Sequence, residues 1–254
     1  MKQKLLIVNC GNTHIETLAV SVPFPGGNFP SEIREKDRKI FTLEEFTLFL
    51  EKLPEDVFIC AASVVPFLAG LLASKGAFLV NKEKKMPFKT AKIDISTVGA
   101  DRLANAAALC NGALPAICMD FGTAITFEVV EEDGSFTGGA ILPGRKLMRH
   151  ALHDHTALLP LIPFTENVTK LPEGAGKNTL EAMLLGTDKA CIGAVKEILQ
   201  HLYRDLSQKY PGRKIRLCAC GGDRKFFLQA IPEMEETPFL TLEGIYRFLL
   251  ENES

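Results

Sequence analysis

Long apolar runs are missing from this chain of 254 residues, and so is any excess of charge of one sign. No window holds the roughly 18 or more consecutive apolar residues that a membrane span needs. The formal net charge is −2, so overall electrostatics offers nothing to a nucleic acid. The opening MKQKLLIVNCGN sets basic residues before an apolar run, but the run breaks after about six residues, short of the roughly 7–15 of a secretory signal core. No segment is of low complexity. Cysteines are few and odd in number, seven in all, and most sit in apolar contexts such as VFICAAS and AICMD. That usage favours buried free thiols in a reducing compartment over a disulfide framework. The expectation is a cytoplasmic protein with no nucleic-acid and no membrane partner.

What is present is a substantial apolar fraction, 46% of the residues, enough for one large domain or two of roughly 100–150 residues. Strand-like and helix-like segments alternate. Residues 4–9 and 14–21 read as a hairpin, residues 22–41 as an irregular edge, and Thr42-Leu43-Glu44-Glu45 as a capping box opening a helix to about Leu53. DVFICAAS reads as a buried strand, FLAGLLASKG as a helix stopped by Gly76, AFLV as a short strand, and residues 82–92 as loop. ADRLANAAALCNG reads as a buried helix stopped by Gly112. The second half repeats the theme: a hairpin over 116–130, a turn over 131–134, and SFTGGAILPG leading into a helix. A second capping box at Asn178-Thr179-Leu180-Glu181 opens a long helix to Tyr210, KIRLCACGGD runs into Gly221-Gly222, and TLEGIYRFLLEN closes as a helix. The pattern predicts an α/β protein of two similar domains, residues 1–114 and 115–254.

The two hairpins share an outline. In LLIVNCGNTHIETLAV an apolar strand reaches Asn9-Cys10-Gly11-Asn12-Thr13; in AICMDFGTAITFEVV another reaches Asp120-Phe121-Gly122-Thr123. Gly11 and Gly122 lie about 111 positions apart, close to half the chain, which indicates an internal duplication. A glycine in such a turn lets backbone approach a ligand, and neighbouring N–H groups can face a phosphate. Asn12, Thr13 and Thr123 can add hydrogen bonds, and a carboxylate at the start of the turn can hold a cation that neutralises phosphate charge. Either hairpin alone reads as an ordinary turn; the pair, followed by a strand entering Gly221-Gly222, favours phosphate binding.

Specific segments extend the pattern: CGNT at 10–13, ASVVP at 62–66, VGADRLANAAA at 98–108, DFGTAITF at 120–127, GGAILPG at 138–144, TALLP at 156–160, GKNTLEAMLLG at 176–186, CGG at 220–222 and LTLEGI at 240–245. In these the chain resembles the type III pantothenate kinases, within the superfamily of sugar kinases, actin and heat-shock chaperones. The resemblance implies two duplicated ribonuclease H-like (actin-like ATPase) domains with an ATP cleft between them. It implies ATP-dependent phosphorylation of the primary hydroxyl of pantothenate, the first step towards coenzyme A, in a homodimer with active sites at its interface. ATP phosphates would be cradled by Asn9, Cys10, Gly11, Asn12, Thr13, His14, Ile15 and Glu16, joined by Gly122, Thr123, Gly221 and Gly222. Gly99, Ala100 and Arg102 would hold pantothenate, with Thr179 and Lys92 also placed at the substrate. Asp101 would be the general base. Asp120 would bind the activating monovalent cation, K⁺ or NH₄⁺, and Mg²⁺ would accompany ATP, with Asn9 at the metal position.

Phosphoryl transfer needs positioning, charge neutralisation and one group to take a proton, and those residues supply each. Asp101 opens the alanine-rich helix, where the helix terminus is expected to lower its pKa; Arg102 offers a planar fork for a carboxylate. Four positions depart from the family pattern. Asn9 stands in place of Asp and removes a full negative charge where hard cations prefer carboxylate. Lys92 stands in place of a tyrosine, Ile125 in place of a threonine, and Cys220 in place of the threonine before Gly-Gly. Asn9 and Lys92 leave two alternatives: a catalytically weakened or inactive paralogue that binds nucleotide or pantothenate, and a kinase of the same fold for another small hydroxyl acceptor. The H-x-x-H-x-H run at His150, His153 and His155 reads as a solvated helix end rather than a zinc site. Cys218 and Cys220 read as packing on one strand face.

Overall fold

The computed structural model describes residues 2–23, 28–30, 33–163 and 171–253. Its strands are β1 (Lys2–Cys10), β2 (Ile15–Pro23), β3 (Arg38–Phe41), β4 (Val57–Ser63), β5 (Phe78–Leu79), β6 (Ala116–Phe121), β7 (Ala124–Val130), β8 (Phe136–Gly138), β9 (Ile141–Pro143), β10 (Arg216–Cys220) and β11 (Glu235–Glu236). Its α-helices are α1 (Leu43–Glu51), α2 (Pro66–Ser74), α3 (Ala100–Leu109), α4 (Arg145–Asp154), α5 (Thr179–Lys209), α6 (Arg224–Ala230) and α7 (Leu240–Glu253). One sheet has the order β3-β2-β1-β4-β5; the other has β11-β10-β6-β7-β8, with β9 paired to β7. Numbered from its own first strand, and with β9 left out because it lies off the main path, each sheet reads third, second, first, fourth, fifth. The duplication suspected from two glycines is therefore a duplication of topology.

Several boundaries differ from the sequence reading. The edge expected to be irregular carries β3, antiparallel to β2 through Ile15↔Phe41 and Leu18↔Arg38; residues 24–27 and 31–32 of that segment lie outside the described ones. The short helix α6 and the two-residue β11 follow Gly221-Gly222, where the sequence pattern gave no element. Both boxes cap helices, but only the first is reciprocal: Thr42 Oγ1 accepts from Glu45 N and Glu45 Oε2 accepts from Thr42 N. At α5 Asn178 Oδ1 accepts from Glu181 N, while the Glu181 carboxylate turns one residue further back, to Lys177 N.

Compactness divides the chain into two units: Met1–Leu114 with Val130–Thr137 and Pro238–Ser254, and Pro115–Val129 with Gly138–Thr237. In the first, β1 is buried on both faces with a period of two. Leu5 and Ile7 pack against α3 and α7, including Leu103, Ala107, Ile245 and Leu249. Leu6 and Val8 pack with Phe46 and Leu50 of α1 and Leu68 and Leu72 of α2. Full burial of each such side chain contributes about 1.5–3 kcal/mol, so a strand covered on both faces is firmly held. Helices α3 and α7 come together at Gly244, where an added Cβ would overlap the carbonyl of Ala104, and the buried Thr241 hydroxyl donates to Asn105 Oδ1 over 2.7 Å. In the second unit Ile117, Met119, Phe121, Ile125 and Phe127 pack against α5 and α6, with Phe121 stacked on Phe227 at 4.2 Å between centroids.

Candidate active site

Both hairpin turns lie where a central strand ends beside a parallel neighbour, the place where open α/β sheets bind ligands. β1 runs parallel to β4, with Asn9 opposite Ala62 and Cys10 opposite Ser63. The first turn is closed by Gly11 N donating to His14 O over 3.1 Å. Asn12, Thr13 and His14 are exposed at its tip. Ile15 is buried among core residues, so only its backbone faces the turn, and the Glu16 carboxylate accepts from Arg38 Nη1 on β3 over 2.8 Å. Burial pushes the Cys10 thiol up to about 12, against a smaller lowering by its hydrogen bond with Ser63, so it stays neutral and is no nucleophile.

Asn9 is the informative position. Its side-chain Oδ1 is buried and accepts no hydrogen bond from the described residues. Burying an unmet acceptor costs free energy, and an oxygen kept in that state at the head of a glycine turn fits a ligand that brings its own positive charge or donor. The residues present therefore fit a cation, with an amide oxygen where a carboxylate was expected.

From Cys10 the chain of contacts leads to the proposed base. Val64 N donates to Cys10 O over 3.1 Å, and Val64 Cγ1 lies 3.5 Å from where a Cβ on Gly99 would stand. Gly99 caps α3 with extended backbone. Asp101, in the first turn, accepts from the Arg102 N–H over 2.8 Å, and its Oδ1 lies 2.7 Å from the Cβ that Gly99 lacks. Here one expectation is corrected. Burial, the largest effect, raises the Asp101 carboxyl above the usual carboxylate range, and the Arg102 N–H and charge lower it less. Desolvation outweighs the helix terminus, which makes Asp101 a stronger base than its helix position predicted.

The second hairpin is tighter. Gly122 N donates to Ala124 O over 3.2 Å. Asp120 stands opposite Cys220 on parallel β10, and Gly221 follows with φ +84°. A Cβ on Gly221 would lie 2.5 Å from Asp120 Oδ1 and 2.6 Å from Phe121 N, so the Gly221-Gly222 turn is seated on the hairpin and the Asp120 carboxylate faces it. Gly144, before α4, is seated there too: its N–H donates to Thr123 O over 2.9 Å, and a Cβ would overlap the carbonyls of Gly122 and Thr123. The structure thus links Cys10 of the first turn through Val64 to Gly99 and Asp101, and brings Asp120, Gly122 and Thr123 together with Gly221 in a second group. Thr179 is exposed at the first turn of α5. Lys92 donates through Nζ to Glu131 Oε2, a carboxylate that is 3% exposed.

Two other departures are accounted for by packing. Ile125 is 1% exposed in the core. Cys220 Sγ lies 3.6 Å from Cys118 Sγ, with both residues buried. All seven cysteines are free. Among the described residues no group of three or more His, Cys, Asp or Glu is placed to hold a metal ion, and His153 Nδ1 sits 2.9 Å from Leu159 O.

Sequence reasoning missed a buried polar cluster: Arg145, Arg149, Asp188 and Asp223, none more than 9% exposed at the side chain. The signal was available in Arg145 and Arg149, one helical turn apart on α4. Their partners are distant in sequence and could not be read.

Comparison with known proteins identifies the family. The family model described as type III pantothenate kinase matches residues 5–201. The type III pantothenate kinase of Legionella pneumophila (strain Corby) is 30% identical over 259 residues, 95% of this chain and 96% of that protein. That of Dictyoglomus turgidum is 32% identical over 268 residues, covering 98% and 99%. The match to the Chlorobium chlorochromatii enzyme is 36% identical but spans only 65% of this chain and 61% of the relative. Among solved structures, a conserved Baf family protein from Campylobacter jejuni has the same fold, with a TM-score of 0.63 at 19% identity over 97% of this chain and 98% of that one. Matched by its family model over most of its length and by relatives from end to end, the chain belongs to the type III pantothenate kinase family.

Proposed function

We propose that this chain transfers the γ-phosphoryl group of ATP to the primary hydroxyl of pantothenate, giving 4′-phosphopantothenate, the first step of coenzyme A biosynthesis. Family membership supports kinase chemistry with ATP as donor. The observation that carries the residue assignment is Asp101: a mostly buried carboxylate at the head of α3, raised in pKa, and linked through Gly99 and Val64 to the first glycine turn. Asp101 takes the proton of the attacking hydroxyl, a task favoured by a base whose pKa is moved towards neutrality. Arg102 pairs with the pantothenate carboxylate, while Gly99 and Ala100 shape the backbone around it, and Thr179 and Lys92 complete the acceptor side. The turns at Asn9–Glu16, Gly122-Thr123 and Gly221-Gly222 hold the nucleotide. Asn9 and Asp120 are the residues that would hold Mg²⁺ and the monovalent cation; when bound, these ions neutralise phosphate charge. A cytoplasmic homodimer completes the reading.

The amide at Asn9 favours weakened metal binding over loss of function, because its oxygen is available and only the charge is gone. The case for a different acceptor rests on Lys92 and on the segment IDIST at 93–97; of the two, the Lys92 ammonium answers the buried carboxylate of Glu131. The test is pantothenate-dependent ATP turnover with Mg²⁺, with and without K⁺, followed by identification of the phosphorylated product. ATP hydrolysis indifferent to pantothenate would remove the acceptor assignment.

A further inference from the structure

The buried cluster beside Gly221-Gly222 has no part in the chemistry above. Arg145, the first residue of α4, donates through Nε and Nη2 to the two oxygens of Asp188 over 3.1 and 3.0 Å, and through Nη1 to Asp223 Oδ1 over 2.7 Å. Its guanidinium carbon lies 3.4 Å from the centroid of the Phe226 ring. Arg149 Nη2 reaches both oxygens of Asp188 over 2.8 and 3.0 Å. Two guanidinium groups and two carboxylates balance formally. Burying such a set is weak evidence of stability, since apolar residues of similar volume would serve as well; what it supplies is geometry.

That geometry closes a ring around the second hairpin. Asp223 N donates to Phe121 O over 3.0 Å, and Gly144 N to Thr123 O over 2.9 Å. Asp223 directly follows Gly221-Gly222, Arg145 directly follows Gly144, and their side chains join the two ends. Arg224, 2% exposed, steadies the same turn by donating to Gly221 O over 3.1 Å. The hairpin that carries Asp120, Gly122 and Thr123 is thus gripped on both sides by backbone, and the two grips are tied by one charged hydrogen bond. We propose that Arg145 and Asp223 are positioning residues, whose tie holds the Gly221-Gly222 turn against the second hairpin in the geometry that binds ATP. This rests on the nucleotide role assigned above to those turns.

The tie, rather than the charge of Asp223, is what the proposal makes important, and two variants of the chain separate them. Asp223→Ala leaves Arg145 Nη1 without its carboxylate, whereas Asp223→Asn keeps an oxygen for it to donate to. By calorimetry with MgATP, Asp223→Ala is expected to weaken binding about tenfold, the scale of one charged hydrogen bond, while Asp223→Asn stays within about threefold of the natural chain. Pantothenate affinity is unchanged in both. Asp223→Ala binding MgATP as the natural chain does would overturn the proposal, as would an equal loss in both variants or a parallel loss of pantothenate affinity. If Asp223→Ala melts before it can be titrated, Arg145→Lys, which keeps the charge but not the fork, replaces it with the same expected loss for MgATP alone. Binding is read without turnover, so a chain that binds MgATP but leaves pantothenate unphosphorylated contradicts the proposed acceptor and not this tie; a natural chain that binds no MgATP contradicts both.

Discussion

Asp101 belongs to a motif that the sequence displays openly, yet its chemistry is set by what the sequence hides. Position in the first turn of α3 pointed to a lowered pKa; burial reverses the sign. Two expectations follow. Asp101→Asn should cut turnover by about 10²–10⁴, the usual span of a general base, with MgATP affinity unchanged by calorimetry; unchanged turnover would remove Asp101 from the mechanism. The pH profile should carry the same signature: the ionised form is the active one, so turnover falls with acid at a midpoint above the ordinary carboxylate value of 3.8. Asn9 is the converse case, a substitution plain in the sequence whose consequence needed coordinates. With its Oδ1 buried and unmet, Asn9→Asp should lower the Mg²⁺ concentration that gives half-maximal turnover, and no change in that requirement would detach Asn9 from the metal. The identities of the motif residues were legible throughout. The environments of Lys92, Ile125 and Cys220 were not, because Glu131, the core and Cys118 come to them from elsewhere in the chain.

At the level of elements, the long periodic segments were readable and several of the short ones were not. α5 was placed to within a residue because a cap, a capping glutamate and some thirty helix-forming residues agree. β3, β11 and α6 have seven residues or fewer and owe their form to neighbours rather than to intrinsic preference. Glycines at close approaches were legible as turns but not as seats. Gly221→Ala combines a left-handed backbone with contacts of 2.5 Å to Asp120 and 2.6 Å to Phe121, and should lower stability by about 1–3 kcal/mol and weaken MgATP more than pantothenate. Gly222→Ala meets nothing within 4 Å and serves as the control in the same melting series; equal effects of the two would contradict the seating.

For the whole molecule, the duplicated strand order was implied by two short loops about 111 residues apart. What the linear pattern could not show is that the last helix, within residues 238–254, folds with the first unit, since α7 carries no mark of its partner α3 beyond Gly244. Global stability should also report the buried cluster. Burial raises Asp223 from 3.8 to about 6 against the lowering by Arg145. A carboxyl raised on folding contributes stability that is present at low pH and lost as pH rises from about 4 to about 6. Asp223→Asn should flatten that segment of the unfolding free energy against pH, and an unaltered slope would contradict the raised value.

The most direct test of the central claim is a coupled assay of ATP turnover with Mg²⁺ and K⁺ in the presence and absence of pantothenate, run on the natural chain and on Asp101→Asn side by side. The account predicts turnover that requires pantothenate, yields its phosphate ester, and falls by about 10²–10⁴ in Asp101→Asn while calorimetry still finds MgATP bound. Pantothenate-independent hydrolysis, no turnover by the natural chain, or equal rates in the two proteins would contradict it.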